Sequence, residues 1–357
     1  MKKLSTGQLA LTFSGAFLGA GYVSGQELYQ FFAAFGKWGL LGFPIAILSL
    51  AVSGFVLIDY SRKSGQTALD KVVIAKDIPW LRKLVAFLQI LSLLSIITII
   101  LAGAGALVTQ LFGIPAFIGS LVLAVLAFLV ALFGLSGMIS AFSVLVPIIS
   151  AATVAFCIAA CVRSGTDAFT LKAVPSHNKL IPNWFVAAFT YAGYNMFASI
   201  GIFTPLGSRL KSKRSTLWGI ILGSFILMLI AFSILIPMCF WPETTNAPLP
   251  MLALAESLSR PLSIVYGILL LGGMFGTTVA SMVAITTYIK VKYPKIEKHN
   301  VILLMILTII SFILSLFGFG NLIGTIDPIF GYLSFVFLLL IICNYIKLRK
   351  KEGPHKT

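Results

Sequence analysis

Ten apolar stretches, each near the roughly 20 residues a helix needs to cross a bilayer, take up nearly all of this sequence. They run approximately over 8–34, 39–61, 83–112, 115–134, 138–162, 182–206, 215–240, 261–289, 301–319 and 324–346. Most of what lies between them is short and polar. Only 10% of the 357 residues are charged, against about 25% in a soluble domain, so no separate soluble domain fits. The pattern predicts an all-α, polytopic membrane protein with ten transmembrane helices. The opening Met1-Lys2-Lys3 has the look of a signal peptide, but the apolar run after it is too long for one and is read as a retained span.

The net charge of +16 invites a nucleic-acid reading, which the distribution of the charge excludes. The basic residues lie in short clusters between apolar stretches, as cytoplasmic loops do. With the N-terminus placed inside, only Lys37, Arg163, Lys172, Lys179 and Arg260 of the 26 Lys and Arg fall outside. Both termini are therefore expected in the cytoplasm. Cys157, Cys161, Cys239 and Cys343 show no metal-ligand spacing with His177, His299 or His355, and no disulfide framework. No Walker A motif, HExxH or nucleophile elbow occurs, so neither an ATP-driven pump nor an enzyme is expected, and no cofactor beyond a coupling ion.

The first stretch is built wrongly for an unbroken helix. Gly15, Gly19, Gly21 and Gly25 crowd together, with Ser24, Gln26 and Glu27 beside them. Each glycine weakens a helix by about 1 kcal/mol relative to alanine. Irregular backbone at membrane depth is tolerated only where protein buries it or it lines a watery cavity. A break is expected here, and transporters hold their substrates at such breaks.

An internal repeat gives this break a partner. Ala20-Gly21-Tyr22 in the first stretch matches Ala192-Gly193-Tyr194 in the sixth, and Trp38-Gly39 at the start of the second matches Trp218-Gly219 in the seventh. Two halves of five spans are read: 1–162, then 182–346 inverted relative to the first. An external connection, 163–181, joins them, and a basic tail, 347–357, follows. The sixth stretch is polar and aromatic at mid-span, from Phe189 through Tyr191 and Tyr194 to Asn195, and reads either as a second break or as a small-residue packing face. In the eighth, Thr277, Thr278 and Ser281 share part of one helix side. Their hydroxyls could serve a small hard cation or bond back to their own helix. In the loop 241–260, Met251–Leu258 reads as a short helix over the outer mouth.

Only Glu27 and Asp327 are acidic within spans, and Asp59 stands at the inner end of the second. Intramembrane carboxylates are functional candidates by default. Glu27 could carry a driving proton or pair with a cation. Asp327, just before Pro328, reads as the cap of a helix beginning there.

The run from Gly19 to Glu27, followed by Phe31-Phe32 and Phe35-Gly36, resembles the YkvI family of bacterial membrane proteins. More widely, the chain resembles the amino acid–polyamine–organocation superfamily with its LeuT-type 5+5 fold and broken helices 1 and 6. Gly19-Ala20-Gly21 is similar to the Gly-x-Gly of helix 1 in amino-acid permeases. The resemblance implies that the amides of Ala20 and Gly21 hold a substrate carboxylate. It also implies a sodium ion held by the carbonyls of Gly15 and Leu18 and the hydroxyls of Thr277 and Thr278. Ala16 stands where an Asn often sits, and the Arg-Phe-Pro after the break is missing, so details of gating and of any second ion do not carry over.

The function expected is an ion-coupled secondary transporter in the bacterial cytoplasmic membrane, moving an amino acid or related amine by alternating access. Tyr22, Phe189, Tyr191, Tyr194 and Asn195 would line the pocket beside Ala20 and Gly21. Sodium is the first coupling ion and a proton through Glu27 the second. The alternative is a solute sensor on the same scaffold. The partners implied are a small solute and the lipid bilayer.

Overall fold

The computed structural model describes residues 3–66, 69–74, 78–164, 179–210 and 212–352. Most of the expected external connection, residues 165–178, and the end of the tail, 353–357, lie outside these. The first apolar stretch is not one helix. It forms α1 (Thr6–Gly15), α2 (Ala20–Ser24) and α3 (Gln26–Phe31), then a 3-10 turn over Ala33–Phe35. Ser5 starts α1 with a capping box: its hydroxyl accepts the Gln8 amide and the Gln8 side chain returns to the Ser5 amide. The chain breaks twice, over residues 16–19 and at Gly25, whose φ of 82° is left-handed and suits glycine.

The first half continues with α4 (Lys37–Ser64), α5 (Leu69–Val73), α6 (Pro79–Phe112), α7 (Ala116–Ala131) and α8 (Gly134–Ser164). The second half holds α9 (Trp184–Gly207), α10 (Lys213–Phe240), α11 (Pro250–Leu258), α12 (Arg260–Lys292), α13 (Asn300–Ser315) and α14 (Phe319–Glu352). Among the described residues, 8 helical spans are long and apolar enough to cross a membrane. The shorter apolar α7 and the broken first segment complete the ten crossings read from the sequence.

Burial sorts these helices. In the most apolar window of each, 83% of α9 and 78% of α12 is buried, against 28% of α8 and 22% of the span ending with α13. α9 lies between α4 and α14, α12 packs on α6 and α8, and α1 packs on α10 and α8. Large apolar side chains such as Val125, Phe225 and Leu339 face outward, as a lipid-facing shell requires.

Two expectations are corrected. The second break, over Phe189–Asn195, is absent: α9 is continuous from Trp184 to Gly207. Its small residues serve packing instead, because a Cβ on Gly193 would run into Ser334 Oγ and come within 2.9 Å of the Gly331 carbonyl of α14. Asp327 caps nothing, because α14 begins at Phe319 and carries Pro328 inside it.

At the end of the bundle that holds Leu4, the broken segment is tied down. The Leu4 amide donates to the Arg209 carbonyl at 2.9 Å, and Thr6 and Ser215 share a hydroxyl bond of 3.0 Å. Asp59, fully buried, pairs with Arg62 at 2.6 Å and accepts the Tyr345 hydroxyl at 2.9 Å, joining α4 to α14. At the other end, α11 is the short helix expected in the loop 241–260. Its Met251 seats against Gly25, so it covers the break at that glycine.

Gly39 lets α4 approach the end of the first segment, since a Cβ there would overlap the Phe32 backbone. Gly7 has open space around it. Gly39→Ala should therefore cost about 1–3 kcal/mol of stability by overpacking, while Gly7→Ala should stabilise by up to about 1 kcal/mol, since alanine favours the helix and meets no neighbour. Thermal unfolding of the two variants in detergent checks this; equal midpoints would contradict the packing.

Candidate functional site

The amides of the unwound residues Phe17, Leu18 and Gly19 donate back to the carbonyls of Ser14, Gly15 and Phe17, and bonds to neighbouring helices anchor α2 just beyond them. Tyr22 donates its hydroxyl to the Leu227 carbonyl of α10 at 2.6 Å. Tyr266 of α12 donates to the Val23 carbonyl at 2.8 Å. Gly273 makes room on α12, where a Cβ would stand 2.9 Å from the Leu18 carbonyl oxygen and 3.0 Å from Val23. The short α2 is thus clamped between α10 and α12.

Beside this clamp lies a small cavity of about 40 Å³. Its polar lining comes from the broken segment (Gly19, Gly21, Glu27), α9 (Tyr194, Asn195, Ser199), α12 (Thr277, Ser281) and α14 (Asp327). α6 supplies an apolar wall that includes Leu93 and Ile100. Glu27 folds back from α3 over the break. Its Oε1 and Cγ fill the space that a Cβ on Gly21 would need, and its Oε2 accepts the Tyr194 hydroxyl. Gly21, Glu27 and Tyr194 therefore form one unit, possible only because Gly21 has no side chain.

The residues expected to meet a solute divide. Gly21, Tyr194, Asn195 and Glu27 line the cavity, and Ala20 starts α2 at its edge. Three expectations are corrected. Tyr22 is turned into α10. Tyr191 is buried among Phe31, Phe32 and Phe43. Phe189 lies on the outer side of α9 against Phe185, which is itself exposed. Continuous α9 shows the cavity one face only, and Phe189 and Tyr191 stand on the others.

Of the four expected sodium ligands, the Gly15 carbonyl and Thr277 meet where α1 packs on α12. Thr277 donates its hydroxyl to the Gly15 carbonyl at 3.4 Å, and the Leu18 carbonyl lies against Gly273. Thr278 bonds back to the Met274 carbonyl at 2.8 Å, the alternative weighed for this hydroxyl. Carbonyl and hydroxyl oxygens are what a hard cation takes, so the donor set fits. Asp327 and Ser281 line the same cavity and were missing from the expected site. For Asp327 the sequence held a signal, a carboxylate inside a span; the neighbouring proline led away from it.

Gly21→Ala and Tyr194→Phe should act on the same side chain. Tyr194→Phe removes a hydrogen bond to a carboxylate, with a cost of about 1.5–3 kcal/mol. With Gly21→Ala already displacing Glu27, the second change should cost clearly less than alone. A double-mutant cycle on thermal stability tests this; additive losses would contradict the shared contact.

No family model matches the chain. It is 23% identical over 348 residues to the membrane protein YkvI of Bacillus subtilis (strain 168), covering 98% of each. It is also 23% identical over 332 residues to YyaD of the same organism, covering 92% of this chain and 93% of that relative. Among solved structures, MhsT in complex with L-phenylalanine superposes with a TM-score of 0.71 at 17% identity, over 97% of this chain and 89% of MhsT. A Na+-coupled sialic acid symporter gives 0.70 at 13%, over 96% and 79%. Mhp1, a nucleobase-cation-symport-1 family transporter, gives 0.60 at 12%, over 92% and 75%. The chain is thus similar along almost its whole length to the membrane protein YkvI, and it shares the LeuT-type fold of these solved structures.

Proposed function

We propose that the protein is an ion-coupled secondary transporter of a small solute, an amino acid or related amine, working by alternating access in the bacterial cytoplasmic membrane. The observation that carries this reading is the cavity at the broken first segment, enclosed by α6, α9, α12 and α14 and lined by Glu27, Tyr194, Asn195, Thr277 and Asp327. A break held between helices, with carbonyls and carboxylates turned to a cavity, is how transporters build a central site. The Na+-coupled sialic acid symporter shares the architecture, and MhsT was solved with an amino acid bound.

In this reading the solute sits at Ala20, Gly21, Tyr194 and Asn195. Sodium sits at Gly15, Leu18, Thr277 and Thr278, bridging the broken segment to α12. Binding of the ion fixes α1 against α12, which couples it to the state of the cavity. The halves 1–162 and 182–346 supply the two sides of the movement. The bonds around Leu4, Asp59 and Tyr345 close the cytoplasmic end and must open for release. Glu27 is the alternative carrier of the driving ion, as a proton.

Proteoliposomes offered labelled amino acids and amines under an inward sodium gradient should accumulate one of them, and a proton gradient alone should not replace sodium. Thr277→Ala and Thr278→Ala should each raise the half-saturating sodium concentration about tenfold, equivalent to about 1.4 kcal/mol. Unchanged sodium dependence would refute the ion site. Solute binding with no accumulation under either gradient would refute transport and favour the sensor.

A further inference from the structure

The charges of the cavity do not balance. Glu27 and Asp327 both line it, and no Lys, Arg or His is among its lining residues. Asp327 is only 5% exposed and has no hydrogen-bond partner among the described residues. Glu27 is partly buried, with Tyr194 as its hydrogen-bond donor. A second unmet group faces the same space: Ser281 is 1% exposed, and its Oγ is without a partner. Two carboxylates facing one cavity repel each other, and largely buried charges call for pairing. Something positive is called for that the protein does not itself provide.

The position of Glu27 says more. Its carboxylate presses on Gly21 at the break, the place where the carboxylate of an amino acid would be expected to bind. An amino acid entering the cavity would add a third carboxylate beside two others, with no basic side chain to receive it. An organic ammonium would meet Glu27, Asp327 and the Ser281 oxygen, all able to accept its hydrogen bonds. Leu93, Ile96, Ile100 and Ile202 line the remainder and suit an aliphatic body.

Resting on the transporter reading, we infer that the solute is a small aliphatic amine without a carboxylate of its own. Glu27 and Asp327 bind its ammonium group, and Glu27 stands at Gly21 in place of the missing substrate carboxylate. The pair gives the cavity its selectivity: cationic amines enter favourably, while amino acids and carboxylic acids are repelled.

The test uses matched ligands on the full-length purified protein at fixed sodium: 3-methylbutylamine, its amino-acid counterpart L-leucine, and neutral N-acetyl-3-methylbutylamine, with butylamine and hexylamine to vary the body. Calorimetry should show a primary amine binding at least tenfold more tightly than L-leucine, with no binding of the acetylated form. Glu27→Gln and Asp327→Asn should each weaken amine binding tenfold or more. The comparison of ligands on the unmodified protein stands even if a variant fails to fold. L-leucine binding as tightly as the amines, no binding of any amine, or full amine affinity in a folded Glu27→Gln variant would each overturn the inference. If the pair holds only a shared proton or a sodium ion, no amine will bind, which is one of these results. Gradient-driven uptake of an amino acid would overturn the inference and leave the transporter reading intact. Amine binding without uptake under any gradient would do the reverse.

Discussion

A bilayer offers no water to an open backbone, and that constraint governs how this protein is put together. Residues 16–19 leave the helix inside the apolar layer, so their polar groups must be met by protein or by a cavity. The amides of Phe17, Leu18 and Gly19 turn back onto the carbonyls of Ser14, Gly15 and Phe17, while the Tyr22–Leu227 and Tyr266–Val23 hydrogen bonds anchor the adjoining α2 to α10 and α12. Glycines at 273 and 276 let α12 and its neighbours come close enough. The most enclosed spans, α9 and α12, are those that wall the break. The exposed helices, α8 and α13, stand farther out and present their apolar faces to lipid.

The opened backbone also creates the cavity and sets its chemistry. Once α2 is clamped, Gly21 faces inward with an empty position where a side chain would stand, and Glu27 folds into that position under the hydroxyl of Tyr194. Asp327 arrives from α14 and Ser281 from α12. The Gly15 carbonyl receives the Thr277 hydroxyl, and the Leu18 carbonyl lies against Gly273. One disruption of one helix thus yields a carboxylate-lined pocket and a neutral oxygen-lined corner next to each other. The first is the one we propose for an organic cation and the second the one we propose for a small inorganic one.

Much of this was legible in the residues. Hydropathy marks the spans because a crossing helix must be apolar along its full length. The glycine cluster marks the break because helix weakening is local. Gly21, Glu27, Tyr194 and Asn195 were named from sequence and lie together at the cavity. The aromatics Tyr22, Phe189 and Tyr191 were named on the same grounds and lie elsewhere. Composition at mid-span does not say which side of a helix looks inward, and α9 turns only one.

Asp327 shows the same limit from the other side. Its neighbour Pro328 is an ordinary sign of a helix start, and the local pattern Asp-Pro reads naturally as a cap. Packing against α9 and α4 carries α14 through that proline from Phe319 onward, which leaves the carboxylate mid-helix and facing the cavity. The order of residues alone determined the helical membrane class, the ten spans and the place of the first break, because apolar length and glycine density act within a single segment. The continuity of α9, the return of Glu27 onto Gly21 and the meeting of two carboxylates were decided by tertiary structure, because each depends on which helix faces come together across distant parts of the chain.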